Sequence, residues 1–387
     1  MGQFLSNTRN EEADAVEEPP VPRNILLGAR NIPDEVSRRP EDCEEWYTDF
    51  LEEAFVALHR DGQSVVVFWP YPHHEVRVDE PDPQDIIAKA TTIYESLFFE
   101  HGGHPRMVKY LHRLDDGIGF CLERLTPGPL DNIRFPPLSL PISAPSTQNR
   151  MLLALYYRWA LQSLSALHFM HTKSVYLTAV GNTFTWLRSD MSIAITGLTC
   201  AASPMLVPEW DDHGEAGKFI YQIVRLSHRA YGEGPECFPA GNGDLQHNAA
   251  YDLFEWAKWI WRLMTNYHST SPPREPCYSD WSPILPIDPA SWPEFTSFGQ
   301  FGEYAEERNR RGAWQELEEE RLGPILLKAW NQEYQSAEQA MQDVQEVIKK
   351  MGMKLIGEDE VELEEVSRWE DFFDIFDAAG TDKGISD

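Results

Sequence analysis

The sequence predicts an α+β protein of two unequal lobes, a small strand-rich N-terminal one and a larger helical C-terminal one. Three observations carry that expectation. Short apolar runs bounded by turn formers cluster before residue 126, a proline-rich stretch runs from Pro127 to Pro145, and apolar stripes at helical spacing dominate the rest of the chain. With 387 residues, 42% of them hydrophobic, and 13 Trp, 14 Tyr and 19 Phe, the chain has enough apolar surface to bury a large core.

Residues 1–40 are rich in Asn, Glu, Pro and Arg without periodicity and read as a flexible arm, with order beginning near Trp46. Residues 41–126 form the smaller lobe. There Val65-Val66-Val67-Phe68-Trp69, closed by Pro70 and Pro72, is a short buried strand. From Pro83 onward, Ile86, Ile87, Ala90, Ile93, Tyr94 and Leu97 place one apolar stripe on a helix that Gly102 and Gly103 end. Met107–Leu111 and Ile118–Leu122 flank an Asp115-Asp116-Gly117 turn, which suits a hairpin. Residues 127–148 read as a hinge and linker, and residues 149–353 as the helical lobe. Leu152, Leu155, Trp159, Leu164, Leu167 and Met170 share one helical face, Phe254 to Leu263 is apolar almost all round, and a last helix spans about Ile325 to Met351.

Residues 354–387 form an acidic tail: from Glu358 onward it holds a dozen carboxylates against two basic residues, with Trp369, Phe372, Phe373 and Phe376 interspersed. Such a segment is either a solvated extension or, with its aromatics on one helical face, a piece that docks into a groove of a partner or of the domain itself.

The formal net charge of −30 argues against nucleic acid as a partner, because phosphate binding draws on clustered Lys and Arg. The five cysteines stand far apart with no CxxC pair, which reads as reduced thiols in the cytosol. No apolar run approaches the length of a membrane-spanning helix. Met1-Gly2-Gln3-Phe4-Leu5-Ser6 fits the N-myristoylation pattern, so peripheral membrane contact through an acylated Gly2 is an expectation, and a reversible one for a single chain.

Five motifs then give the layout a family resemblance. His104-Pro105-Arg106-Met107-Val108-Lys109-Tyr110-Leu111 resembles the "HPxIVxYL" start of the fourth strand of eukaryotic protein kinases. Asp116 to Leu130 looks like their fifth strand and hinge, and Ala166-Leu167-His168-Phe169-Met170-His171 stands in place of "ALAYLHS" at the end of the helix before the catalytic loop. Asp252-Leu253-Phe254-Glu255-Trp256 to Thr265 is similar to the central helix of the large lobe. Leu327 to Ala337 resembles the "LKCWxGEYxSA" helix of a kinase-like group of filamentous fungi. The resemblance covers roughly residues 50 to 350, in family order, and implies a two-lobed protein-kinase-like fold.

It also implies where the chemistry should be. Phosphoryl transfer needs a glycine loop over the phosphates, a Lys–Glu pair, two metal ligands and an Asp that accepts the hydroxyl proton. In the glycine-loop position stand Asp49-Phe50-Leu51-Glu52-Glu53, whose Glu52 and Glu53 would repel a triphosphate. The third-strand lysine falls on Phe68 and its glutamate partner on Ala90. Read forward from His171, the HRD triplet falls on Leu177-Thr178-Ala179, so the proton acceptor becomes Ala179. The metal-binding Asn becomes Phe184, and the DFG triplet becomes Gly197-Leu198-Thr199. Asp252 matches the central-helix aspartate, which in the family braces the catalytic-loop backbone. A shifted register would instead offer Arg77, Asn182 and Asp190 as functional residues. The end of an activation segment falls either on Pro235-Glu236 or on Pro208-Glu209.

His73, His74, His101 and His104 lack the spacing of a metal site, and no nucleophile motif occurs. The expectation is a degenerate kinase-like domain, a pseudokinase without cofactor, that binds proteins as a signalling scaffold in the cytoplasm. Two others stand beside it: an unconventional kinase that still binds ATP, and an all-helical interaction protein unrelated to kinases.

Overall fold

The computed structural model describes residues 30–31, 40–50, 54–68, 83–115, 117, 119–136, 138, 147–177, 179–203, 249–265, 317–363 and 368–375. The fold is α+β. Six strands make one antiparallel sheet: β1 (Arg30–Asn31), β2 (Cys43–Phe50), β3 (Ala54–His59), β4 (Ser64–Phe68), β5 (Tyr110–Arg113) and β6 (Gly119–Glu123), in the order β1-β2-β3-β4-β6-β5. Ordered chain thus reaches back into the expected arm, since Arg30 and Asn31 pair with Trp46 and Glu45.

All five residues of β4 are buried, which explains why its sequence is apolar without alternation. Its two faces differ in company. Val65 and Val67 face helix α1 (Pro83–Glu95), whereas Val66 and Phe68 join Cys43, Ala57 and Cys121 on the other side. The stripe Ile86, Ile87, Ala90, Ile93, Tyr94 and Leu97 is buried as its spacing predicts. One π-helical turn, Ser96–Glu100, closes the helix, and Gly103 at φ +68° has the Phe98 ring so close that no side chain would fit.

The β5–β6 hairpin forms, but the expected strand Met107–Leu111 is shifted to Tyr110–Arg113. Met107 bridges instead to Ile195, with Val108 N–H donating to Ile195 O at 2.9 Å, so the first half of that run serves a second sheet. That sheet has the order β10-β9-β7, from β7 (Gly128–Pro129), β9 (Thr185–Leu187) and β10 (Ile193–Ile195).

The proline-rich stretch is not a loose linker where it is described. Through β7 and β8 (Ile133–Arg134) it buries Leu130, Ile133, Phe135 and Leu138 to between 0% and 6% exposure, because its apolar residues between prolines fill space beside the long helix α2 (Thr147–His171). Around α2 lie α3 (Ala249–Met264), α4 (Gly323–Trp330) and α5 (Ala337–Lys350). Trp159, Trp256, Trp259, Trp261 and Trp330 are fully buried among them. The single last helix expected from Ile325 to Met351 is two: Gln332 turns at φ +57°, and the Ser336 hydroxyl caps a new start by accepting from Gln339 N–H.

The acidic C-terminal segment also joins the body. A hairpin of β11 (Leu355–Ile356) and β12 (Glu360–Val361) is held by buried cations: Arg106 donates to both oxygens of Asp359 at 2.8 and 3.0 Å and also meets Glu360. Arg158 and Gln162 of α2 donate to Glu360 as well. Further on, Trp369 and Phe373 are buried in the core, and β13 (Asp374–Ile375) pairs with β8. The aromatics therefore dock on the domain itself, through a short 3-10 turn and a strand and not as one helical face. Phe376 lies outside the described residues.

Candidate functional site

The expected site residues are carried by the segment between α2 and β9, the end of β10, and the helices beneath them. Asp252, in the first turn of α3, is completely buried, and its carboxylate accepts Leu177 N–H at 2.9 Å. The same oxygen lies 2.8 Å from His171 Nε2 at the end of α2, so the ring donates there through its Nε2 proton. His171 Nδ1 is buried without a hydrogen-bond partner, and the ring stacks at a tilt on Tyr176, 5.5 Å between centroids. Tyr176 in turn exchanges two backbone hydrogen bonds with Ala202, at 2.9 and 2.8 Å. One buried carboxylate and one strand-like bridge thus fix the path of Val175–Leu177, whose own side chains offer no polar group apart from the Tyr176 hydroxyl.

From there the chain runs past Ala179, half-buried, to Asn182, whose side-chain oxygen accepts from Trp259 Nε1 at 2.8 Å. Phe184 comes next, and its side chain lies against Gly197. Gly197 adopts φ +85°, and a Cβ built there would meet the Phe184 ring, with Cγ at 2.7 Å. Thr196 N–H donates to Phe184 O at 2.8 Å, which locks the two positions side by side. Thr196 also ties this spot to α1: its hydroxyl is 2.9 Å from that of Tyr94, fully buried. Burial of the Tyr94 phenol in apolar surroundings raises its pKa well above the ordinary tyrosine value, so the pair stays neutral. Ala90 sits one helical turn before Tyr94 and is likewise fully buried.

The structure brings Phe184 and Gly197 together, with Ala90 on the helix that Tyr94 ties to them and Ala179 on the segment leading to Phe184, and it separates Phe68 from them. Phe68 points to the sheet face opposite α1, so it does not stand across from Ala90 as the third-strand reading had it. The reason is the two-residue period of a strand: a shift of one position exchanges the faces. The β4 residues on the side of Ala90 are Val65 and Val67, and neither carries a charge. Glu52, Glu53, Arg77, His73, His74, Gly2 and both candidate ends of an activation segment lie outside the described residues.

The residues of the shifted register have other engagements. Asp190 caps its own turn between β9 and β10, accepting Ser192 N–H at 2.9 Å and the Ser192 hydroxyl at 2.7 Å. Burial pushes its carboxyl upward, but those bonds and the nearby Arg158 and Arg188 outweigh it and hold the pKa below the usual range. Asn182 is spoken for by Trp259. Of the histidines, His104 stacks on Phe169 at 5.1 Å and His101 sits in an exposed turn. Among the described residues, no group of three or more His, Cys, Asp or Glu is arranged to hold a metal ion.

Chemically, the side chains at these four positions are two methyl groups, a phenyl ring and a hydrogen. None of these side chains can coordinate a cation or relay a proton. Sequence reasoning named these four but missed the Tyr94–Thr196 bond and the part of His171, because both join residues far apart in the chain and no local pattern announces them. No helix among the described residues is long and apolar enough to cross a membrane. No protein-family model and no curated protein matches the chain.

Proposed function

We propose that the chain is a protein-kinase-like domain whose phosphate-transfer site is inert and which works as a protein-binding scaffold. The observation that carries this reading is the Phe184 ring lying on Gly197. In the resemblance these two positions hold the metal ligands, and here one has no side chain and the other fills the space with a ring. Two further observations support it. The helix that would carry the glutamate runs between β4 and β5, which correspond to the third and fourth family strands, and β6 pairs with both β4 and β5. The buried Asp252 carboxylate accepts Leu177 N–H, which is the bracing that the resemblance implies for that aspartate.

With no ligand for magnesium at those positions and no cation on β4 facing α1, a bound triphosphate would keep its charge uncompensated. Phosphoryl transfer depends almost wholly on such compensation and on positioning. The function left to the fold is shape. Its expected setting is the cytoplasm, with reversible membrane contact through an acylated Gly2.

A thermal-shift titration tests the reading. ATP with magnesium, raised to several millimolar, is expected to leave the melting temperature unchanged. A ligand at a hundred times its dissociation constant would stabilise the fold by about 2.7 kcal/mol, so a rise of several degrees would overturn the inert site in favour of an ATP-binding kinase.

A further inference from the structure

The segment after the β11–β12 hairpin binds the body as a peptide binds a receptor. Trp369 is 3% exposed and Phe373 4%. The Phe373 ring stacks on Trp159 of α2 at 6.0 Å and meets Phe135 edge-on at 5.7 Å, while Phe372 covers it from outside at 5.0 Å. Immediately afterwards the backbone adds to β8 as an antiparallel strand, with Ile375 opposite Ile133 and Asp374 opposite Arg134. Among the described residues, β13 is the only strand that β8 pairs with in its sheet.

Strand addition supplies affinity through main-chain hydrogen bonds, and side-chain pockets beside it supply specificity. Both elements are present here, and the ladder adds a third. Its register sets an acidic residue opposite a cation in a chain whose net charge is −30, where most of the surface would repel an acidic segment.

We propose that the groove between β8 and α2 is a linear-peptide site, occupied in cis by residues 369–375. Its ligand in trans is a segment of a partner protein with the same chemistry and the same turn-then-strand shape: an aromatic residue, a second aromatic four positions on, then an acid and an aliphatic residue. The biological purpose of the site rests on the scaffold reading, but its geometry does not. The seated segment acts as a latch. A tethered occupant is present at an effective concentration of about a millimolar, so a free peptide binds only when the latch is weakened or the peptide is abundant.

The probe is a fluorescent peptide of residues 366–377, titrated onto the full-length chain and onto full-length variants. Asp374→Arg weakens the latch by placing like charges opposite each other, and the peptide is expected to bind this variant at least ~10-fold more tightly than it binds the native chain. Adding Arg134→Asp restores the opposite-charge pairing in cis and should abolish the gain. Phe373→Ala removes an anchor and should open the groove in the same way. A measurement on the native chain needs no substitution. With millimolar peptide, amide exchange should speed up across residues 369–375 while Ile133 and Arg134 stay protected. Unchanged exchange in that segment, or folded variants that bind the peptide no better than the native chain, would overturn the proposal. Concentration-dependent dimers dispersed by the peptide would overturn it too, by giving the groove to the tail of a second copy. None of these outcomes alters the nucleotide titration, so the two readings fail separately.

Discussion

A side chain at position 197 has nowhere to go. The backbone there is left-handed, and the space above it belongs to the Phe184 ring. Gly197→Ala is therefore expected to destabilise the fold by about 1–3 kcal/mol through strain and overlap. In a Phe184→Ala background the same change should cost less, because the ring overlap is gone and only the backbone strain and the close Cβ of residue 184, at 3.0 Å, remain; a double-mutant cycle in urea measures the difference. Additivity of the two changes would mean that the ring and the glycine do not constrain each other. The family resemblance named Phe184 by counting forward from His171 and Gly197 as the residue after the strand Ser192 to Thr196, but it could not place one upon the other. That contact depends on Thr196 N–H reaching Phe184 O across the β9–β10 hairpin. Phe68 is the opposite case: a run such as Val65-Val66-Val67-Phe68, buried on both faces, has no alternation to tell which residues face α1.

Elements with a strong period were legible. The stripe of α1, the apolar seam of α2 and the all-round apolar α3 arise from spacing alone, since a helix must bury whatever stripe it carries. The β11–β12 hairpin was hidden, because all seven of its residues, Leu355 to Val361, fall within the stretch 354–387 that reads as an acidic tail. What holds it is a set of distant cations on the 104–107 segment and α2. Burial pushes the Asp359 carboxyl upward, but the hydrogen bonds and charge of Arg106 outweigh this, and its pKa falls below the ordinary value. The Arg106 guanidinium stays charged throughout, held by Asp359 and Glu360 against the effect of burial.

A depressed folded-state pKa stabilises the fold at every pH above the unfolded value of about 3.9, and that contribution disappears as pH falls through the folded value. Acid titration of stability should therefore show a loss that begins below about pH 4–5 and that Asp359→Asn flattens. Burial lowers the pKa of His104, stacked beside this network, below the ordinary histidine value, against the opposing pull of Asp359. An Asp359→Asn chain with an unchanged acid limb would show that the ion pair adds nothing to folding.

At the scale of the whole molecule, the net charge of −30 is the dominant long-range term. Self-repulsion destabilises a compact state, and salt screens it, the Debye length falling from about 30 Å at 0.01 M to about 8 Å at 0.15 M. The melting temperature is expected to rise over that interval, because the attractive pairs that matter most, Arg106–Asp359 and Arg158–Glu360, are largely buried and screened less. A fall in melting temperature with added salt would mean that surface attractions outweigh the repulsion.

Composition and periodicity were enough to determine an α+β chain with a large aromatic core and the main helices, since these are properties of residue type and local spacing. Tertiary structure alone decided which face of β4 meets α1, that the proline-rich segment belongs to the core, and which of the two readings of the acidic tail holds. Those outcomes hang on contacts between residues distant in the chain. Their free energy comes from desolvation and charge pairing that exist only once the partners have been brought together.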